Sequence, residues 1–175
     1  YPIRAATDAV EVAQPLTAAE VQAILEQAFI LARRTRAQIR QPLNSQAEVS
    51  IAVVDTFGVP LGLVRAPDAP IFGTDVALQK ARTATFFSGT HAGSDLSANP
   101  SSDVQQFVVA ARTFLSDQTA LTGKTAFTDR ANGNLSRPFF PDGEDGQPNG
   151  PFSRPINQFN PFSTGLQSAL ISANV

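Results

Sequence analysis

The chain contains a single histidine, His91, in the polar segment SGTHAGSD that spans residues 88–95. A neutral imidazole can ligate iron or carry a proton, so His91 is a candidate for either task. The alternative is an exposed loop histidine with no chemical role. One histidine cannot build a multi-histidine metal site, and the absence of cysteine removes thiolate nucleophiles and thiolate ligands. Zinc hydrolase chemistry is therefore not expected.

Two basic side chains and a hydroxyl lie close together in the segment QKARTA, residues 79–84. Lys80 and Arg82 can pair with a carboxylate, and Thr83 can donate a hydrogen bond to a bound ligand. The alternative is an ordinary amphipathic helix with solvated Lys and Arg and a buried Thr. No nucleophile elbow, phosphate-binding loop or HExxH motif accompanies these residues, so the sequence leaves open whether the protein is an enzyme.

Two further charged clusters favour plain structural interpretations. Four arginines lie near the end of a predicted first helix, where its dipole favours cations: Arg33, Arg34, Arg36 and Arg40. Three acidic residues lie in a Gly-rich stretch, but their spacing differs from that of an EF-hand: Asp142, Glu144 and Asp145. A solvated helix end and a solvated turn are the expected outcomes.

The elements that must position Lys80, Arg82 and Thr83 are a hairpin and a helix. Residues 48–55 form a β-branched run, residues 60–65 return with apolar side chains, and Gly58 can supply the positive φ of a tight turn. A helix is predicted over about residues 74–87, with Gly89 as its C-cap.

This order of elements resembles the GlcG/HbpS-like heme-binding family. The matching pieces are SIAVVD at residues 50–55, the glycine at 58, L-x-x-x-R at 61–65 and DVALQKARTA at 75–84. The resemblance implies an α+β fold of the broad α/β class, in which helices flank an antiparallel sheet. It also implies heme or tetrapyrrole binding and a role in heme or iron handling. By resemblance Thr83 lies near the heme. On physical grounds Arg82 or Lys80 can pair with a propionate carboxylate, and His91 is a further candidate.

The chain departs from the family at its C-terminal end, where two Gly/Val-rich strands are expected and neither is found. We therefore expect a homo- or hetero-oligomer in which a second polypeptide completes the sheet. The alternative function is a structural or assembly subunit that binds no cofactor. A Phe-rich excursion, low charge and an incomplete sheet edge all suit that alternative.

The rest of the chain divides into three parts. Residues 1–15 read as an N-terminal arm, residues 16–128 as the family-like domain, and residues 129–175 as an extended Pro/Gly-rich segment that packs on the core or a partner. Thr17 and Glu20 predict a capping box, with Leu16 as its staple, for a first helix that runs to about Ile39. Another helix is predicted over residues 102–116, followed by a short strand at 125–128. The many Phe rings in the C-terminal segment predict that it packs against protein, and the alternative is an apolar slot for a flat ligand such as heme.

Composition excludes several classes of function. With 175 residues the chain is long enough for one compact domain, and its net charge of −2 gives no attraction to nucleic acid or anionic lipid. No apolar stretch approaches the roughly 20 residues of a membrane helix. The chain has no Met and begins at Tyr1, which suits removal of a secretory signal, so we expect an extracellular or periplasmic bacterial protein.

Overall fold

The computed structural model describes residues 2–37, 40–128, 131, 135–140, 145–146 and 153–158. It divides into two compact units, residues 1–85 and 86–175. The elements of the described residues are α1 Ala18–Arg34, β1 Ser50–Val54, β2 Pro60–Arg65, α2 Gly73–Ser88, α3 Ala92–Ala98, α4 Ser102–Leu115 and a 3₁₀ turn, Ile156–Gln158. Helices with one antiparallel pair of strands confirm the expected α+β class.

Helix α1 begins as the capping box predicts. The Thr17 hydroxyl accepts from the Glu20 N–H, and the Glu20 carboxylate accepts from the Thr17 N–H at 2.8 Å. The helix ends at Arg34, five residues before the predicted end. Thr35 adopts an extended conformation there, and the chain turns into an isolated antiparallel bridge between Arg36 and Gln46. Ile39 itself lies outside the described residues.

Strands β1 and β2 form the predicted hairpin. The register pairs Ala52 with Leu63 and Val53 with Gly62, and an irregularity follows between Val53 and Val54. Gly58 has a φ of 73° in the turn, the conformation for which the sequence predicted a glycine.

Helix α1 packs against one face of this hairpin. A Cβ added at Gly62 would lie 2.7 Å from Cδ1 of Leu25, so the helix approaches the strand backbone directly. The core of the first unit is centred on Val21, Leu25 and Leu61, all of which are buried. Partly buried side chains surround these three: Ala6, Leu16, Ile51, Val53 and Val64.

The second unit differs from the sequence expectations in two places. The polar segment SGTHAGSD, which suggests a loop around His91, is helical in its second half: residues 92–95 begin α3, where Ala92, Gly93 and Leu96 are buried. Gly93 permits this because an added Cβ would lie 2.9 Å from the Leu121 carbonyl oxygen. The predicted strand at 125–128 is wrong, because these residues are not in a strand. The Phe127 N–H instead donates a hydrogen bond to the Ser88 hydroxyl oxygen. Helix α4 ends one residue before its predicted end.

The core of the second unit is built around α3 and α4. Eight buried side chains form it: Phe87, Ala92, Leu96, Val104, Val108, Ala111, Leu121 and Phe127. Of the C-terminal segment, the described parts include Phe139, which is partly exposed, and Phe140, whose ring lies 5.3 Å from the Arg137 guanidinium carbon. Phe152, Phe159 and Phe162 lie outside the described residues, as do Asp142 and Glu144.

Candidate functional site

An open cavity of about 260 Å³ lies within the first unit, between the hairpin and the N-terminal half of α2. Its walls are mostly apolar, and two polar side chains from the first turn of α2 interrupt them. The lining residues are Ala52, Pro60, Gly62, Leu63, Ile71, Thr74, Asp75 and Leu78. Ala52 and Leu63 face the cavity from the pair of strands, whereas α1 packs with Ile51, Val53 and Val64.

Two contacts place α2 along the hairpin. At the start of the helix, a Cβ added at Gly73 would lie 3.6 Å from Oγ of Ser50. Nine residues later, Nε of Arg82 donates to the carbonyl oxygen of Gly58 at 3.0 Å. The helix therefore runs from the open end of the hairpin to its turn, and the cavity lies between the two contacts. Among the described residues the Ser50 hydroxyl is buried without a hydrogen-bond partner.

Arg82 extends the stripe of α2 residues that lines the cavity. Thr74, Asp75 and Leu78 recur at helical spacing, Ile71 precedes them just before the helix, and Arg82 is the next position on that face. Asp75 and Arg82 lie about 10 Å apart along the axis, at 1.5 Å per residue. The wall thus carries the Asp75 carboxylate, and the Arg82 guanidinium lies beyond the lining, on the same face of α2 and near the hairpin turn.

Like Arg82, the other two predicted residues of α2 are exposed. Lys80 is exposed to solvent. The Thr83 hydroxyl donates to the Gln79 carbonyl oxygen at 3.0 Å, one turn earlier in the helix, and the residue is exposed rather than buried. Of the three, Arg82 has the position and the anchor to act at the cavity.

His91 belongs to the second unit, where it is the N-cap residue of α3. Its side chain makes no capping hydrogen bond and is exposed, whereas its carbonyl oxygen accepts from the Ser94 hydroxyl at 2.7 Å. Within the described part of the chain, no group of three or more His, Asp or Glu residues could hold a metal ion.

Two arginines of the predicted cluster have acidic partners. Arg33 pairs with Glu48 at 2.9 Å, and Arg40 pairs with Asp68 at 2.6 Å. These contacts tie the end of α1 and the following segment to residues that flank the hairpin, which favours a structural role for this cluster.

Sequence reasoning missed a network of hydrogen bonds at the hairpin turn. Oδ2 of Asp55 accepts from the N–H and the hydroxyl of Thr7, at 3.0 and 2.7 Å. Reciprocally, Oδ2 of Asp8 accepts from the N–H and the hydroxyl of Thr56, at 2.9 and 2.7 Å. Both carboxylates are buried, with Asp8 only 3% and Asp55 only 4% exposed.

Asp55 also organises the turn itself. Its Oδ1 accepts from the N–H groups of Phe57 and Val59, at 3.0 and 2.9 Å. Burial alone raises the pKa of Asp55, but the hydrogen bonds from Thr7, Val59 and Phe57 outweigh burial and hold that pKa below its usual value. The carboxylate is therefore ionised whenever the hairpin is folded near neutral pH.

The sequence model of the family described as haem degrading protein HbpS-like matches residues 24–129. The chain belongs to the HbpS-like family. This matched range covers more than half of the chain and contains the hairpin, α2 and the cavity between them. Membership confirms the resemblance stated from the sequence and makes this a heme-related protein at the level of the family. No curated protein and no solved structure matches the chain.

The HbpS-like match begins at residue 24 and so leaves out the arm that carries Thr7 and Asp8. The network at the hairpin turn joins a segment outside the match to one inside it. None of the helices among the described residues has the length and apolarity needed to cross a bilayer.

Proposed function

We propose that this HbpS-like protein binds heme, with part of the ring in the cavity between the hairpin and α2 and the propionates at Arg82. The observation that supports the proposal is the apolar cavity with Arg82 one helical turn beyond Leu78. A flat apolar ligand that carries carboxylates on one edge matches such a wall, and the family match supplies the ligand class.

The cavity has room for one edge of the ring, and its apolar walls suit that edge. At about 260 Å³ the cavity is slightly smaller than the roughly 300 Å³ at which small-molecule sites begin. Its open side lets a ring enter edge-on and keep its other edge in solvent. The lining offers no imidazole, thiol or thioether, so the residues on these walls supply apolar contact and not an iron ligand.

The charges along α2 orient the ligand. Asp75 repels carboxylates from the first turn of the helix, whereas Arg82 attracts them to the end near the hairpin turn. Lys80 adds a second, solvated cation, and the Thr83 hydroxyl can turn from the Gln79 carbonyl to a propionate. Bound heme would supply the iron chemistry, while these residues would hold and orient the ring.

His91 is a separate proposal because it lies in the second unit. If its imidazole ligates the iron, then His91→Ala changes the ferric absorbance spectrum as well as the affinity. If it is a plain surface residue, the variant leaves both unchanged.

The test of the main proposal is a titration with hemin and with hemin dimethyl ester, monitored in the Soret band. The wild-type protein should bind both saturably. Arg82→Ala should weaken hemin by about tenfold or more, since a charge-assisted hydrogen bond contributes about 1.5–3 kcal/mol. The same substitution should leave the affinity for the ester unchanged, because the ester has no carboxylate.

Arg34→Ala is the matched control, since Arg34 is an exposed cation of the same unit on α1, away from the cavity wall. An absence of saturable hemin binding by the wild-type protein would refute heme binding itself. Equal losses in the Arg82 and Arg34 variants would refute the assignment of Arg82.

We also propose that the protein assembles with further copies of itself. Ile71 and Phe72, just before α2, are 82% and 72% exposed, which is unusual for two adjacent large apolar side chains. A hairpin of two strands is also a small sheet for an α+β domain. The competing function, an assembly subunit without a cofactor, is supported by the same exposed pair and predicts an oligomer that does not bind hemin.

A further inference from the structure

The N-terminal arm is fastened to the hairpin turn by a reciprocal pair of contacts. Thr7 donates twice to Asp55, and Thr56 donates twice to Asp8, so each dipeptide supplies one carboxylate and two donors. The four bonds are 2.7–3.0 Å long and their acceptors are buried. We call this arrangement of Thr7, Asp8, Asp55 and Thr56 the clasp.

Two further contacts hold the arm, one to β2 and one to the residue before the N-cap of α1. The Arg4 N–H donates to the Leu61 carbonyl oxygen at 2.9 Å, and the Ala6 N–H donates to the Leu16 carbonyl oxygen at 2.8 Å. Ala6 also packs against the core of the first unit. The arm therefore follows β2 and ends at the turn, where the clasp closes it.

A continuous series of short contacts leads from the clasp to Arg82. Asp55 fixes the turn through the Phe57 and Val59 N–H groups, and its carbonyl oxygen accepts from the Gly58 N–H at 2.9 Å. The Gly58 carbonyl in turn accepts from Nε of Arg82. A Cβ added at Gly58 would lie 3.3 Å from Cγ of Arg82, so this side chain packs directly over the turn.

We propose that the clasp orients Arg82 for its ligand, which makes Thr7 and Asp55 positioning residues of the candidate site. With the clasp closed, the turn presents the Gly58 carbonyl in one place and the guanidinium is fixed by its Nε. Among the described residues the two terminal nitrogens have no partner, so they can bind a carboxylate. With the clasp open, the turn loses two of the four hydrogen bonds on Asp55 and the anchor of Arg82 loosens. The affinity part of this inference rests on the proposed function, whereas the orientation of Arg82 does not.

The experiment measures solvent exchange of the Arg82 Nε–H by ¹H–¹⁵N NMR in the full-length protein without ligand. Thr7→Val removes the hydroxyl donor and keeps the shape of the side chain. It should speed the exchange by at least about tenfold, since a hydrogen bond to a carboxylate contributes at least that factor to an opening equilibrium. Thr7→Ser restores the hydroxyl and should restore slow exchange.

Thr119→Val is the matched control. Thr119 donates its N–H and hydroxyl to Oδ1 of Asp117, at 2.8 and 2.7 Å, in the same pattern as Thr7 but in the second unit. Arg82 exchange should be unchanged in this variant. If Thr7→Val prevents folding, Thr56→Val opens the other half of the clasp and serves in its place.

Trypsin cleavage after Arg4, followed by mass spectrometry, reports the opening of the arm in the same samples. Faster cleavage in Thr7→Val with unchanged Arg82 exchange would overturn the inference, because the arm would then be a structural strap only. Unchanged cleavage and unchanged exchange would overturn it as well.

Hemin affinity adds a readout that tests the coupling to the site. Thr7→Val should weaken hemin in the wild-type background, and Thr7→Val combined with Arg82→Ala should be no weaker than Arg82→Ala alone. Additive losses would contradict action through Arg82. If the wild-type protein binds no hemin, the proposed function fails, and the exchange measurement still decides whether the clasp orients Arg82.

Discussion

At the scale of single residues, three glycines with positive φ test how backbone strain and crowding combine. Gly146, Gly58 and Gly123 have φ values of 84°, 73° and 82°. Alanine at any of them costs about 1–2 kcal/mol from the left-handed backbone alone. Among the described residues, an added Cβ meets nothing within 4 Å at Gly146, Arg82 Cγ at 3.3 Å at Gly58, and Thr90 Cγ2 at 2.7 Å at Gly123.

We therefore expect the loss in free energy of unfolding to rise in the order Gly146→Ala, Gly58→Ala, Gly123→Ala, as measured by urea denaturation. Gly146→Ala is the internal control, because it reports the strain without a neighbour. Equal losses at Gly146 and Gly58 would show that Arg82 moves aside without cost, which would also weaken the case for a fixed guanidinium.

Asp55 gives the first unit a dependence on acid whose sign follows from its environment. Its pKa in the folded protein lies below that in the unfolded chain, which is about 3.9. The stabilisation by the carboxylate is therefore complete above that value and is lost as the pH falls through the folded pKa. Asp55→Asn should destabilise the protein by about 2–3 kcal/mol at pH 7, since it disrupts hydrogen bonds to a buried charge.

The measurement is urea denaturation of the wild-type and Asp55→Asn proteins from pH 7 to pH 2.5. The difference between them should stay constant down to about pH 4 and shrink below it. Asp117→Asn provides the comparison: hydrogen bonds from Thr119 also lower the pKa of Asp117, but that carboxylate is solvated, so its contribution should be smaller. A difference that does not change with pH would mean that the clasp does not depend on the charge of Asp55.

At the scale of elements, local signals predicted what depends on neighbours in sequence. The capping box of Thr17 and Glu20 marks the start of α1 because both partners lie within one turn. Gly58 and the flanking apolar runs mark the hairpin for the same reason. The helical spacing of Lys80, Arg82 and Thr83 placed all three on α2, but not which of them faces the cavity.

The elements that were missed depend on contacts distant in sequence. Helix α3 is seven residues long and rich in Gly, Ser and Ala, and it forms because Gly93 packs under the Leu121 carbonyl. The end of α1 was misplaced because the bridge of Arg36 to Gln46 competes with further helix. The clasp joins residues 48 positions apart, and nothing near Asp55 in the sequence indicates that Thr7 will meet it.

At the scale of the whole molecule, the family match and the two units divide the chain differently. The match spans residues 24–129 and crosses the boundary at residue 86, so both units contain family sequence. The cavity, the clasp and Arg82 all belong to the first unit, and His91 belongs to the second. The effect of a substitution can therefore be assigned to the core of the unit in which the substituted residue lies.

The exposed pair Ile71 and Phe72 carries the prediction about assembly. Both side chains lie in the segment that leads into α2, and Ile71 also lines the cavity. A partner that covers them would bury two large apolar groups, each worth about 1.5–3 kcal/mol.

Light scattering should give the native protein a mass that is a multiple of 18.5 kDa, and Ile71→Ser with Phe72→Ser should lower that mass. Val109→Ser is the control, since Val109 is a single exposed apolar side chain of α4, and it should leave the mass unchanged. A wild-type protein that scatters as a single chain at high micromolar concentration would contradict self-assembly, and the pair would then be free to contact a ligand at the mouth of the cavity.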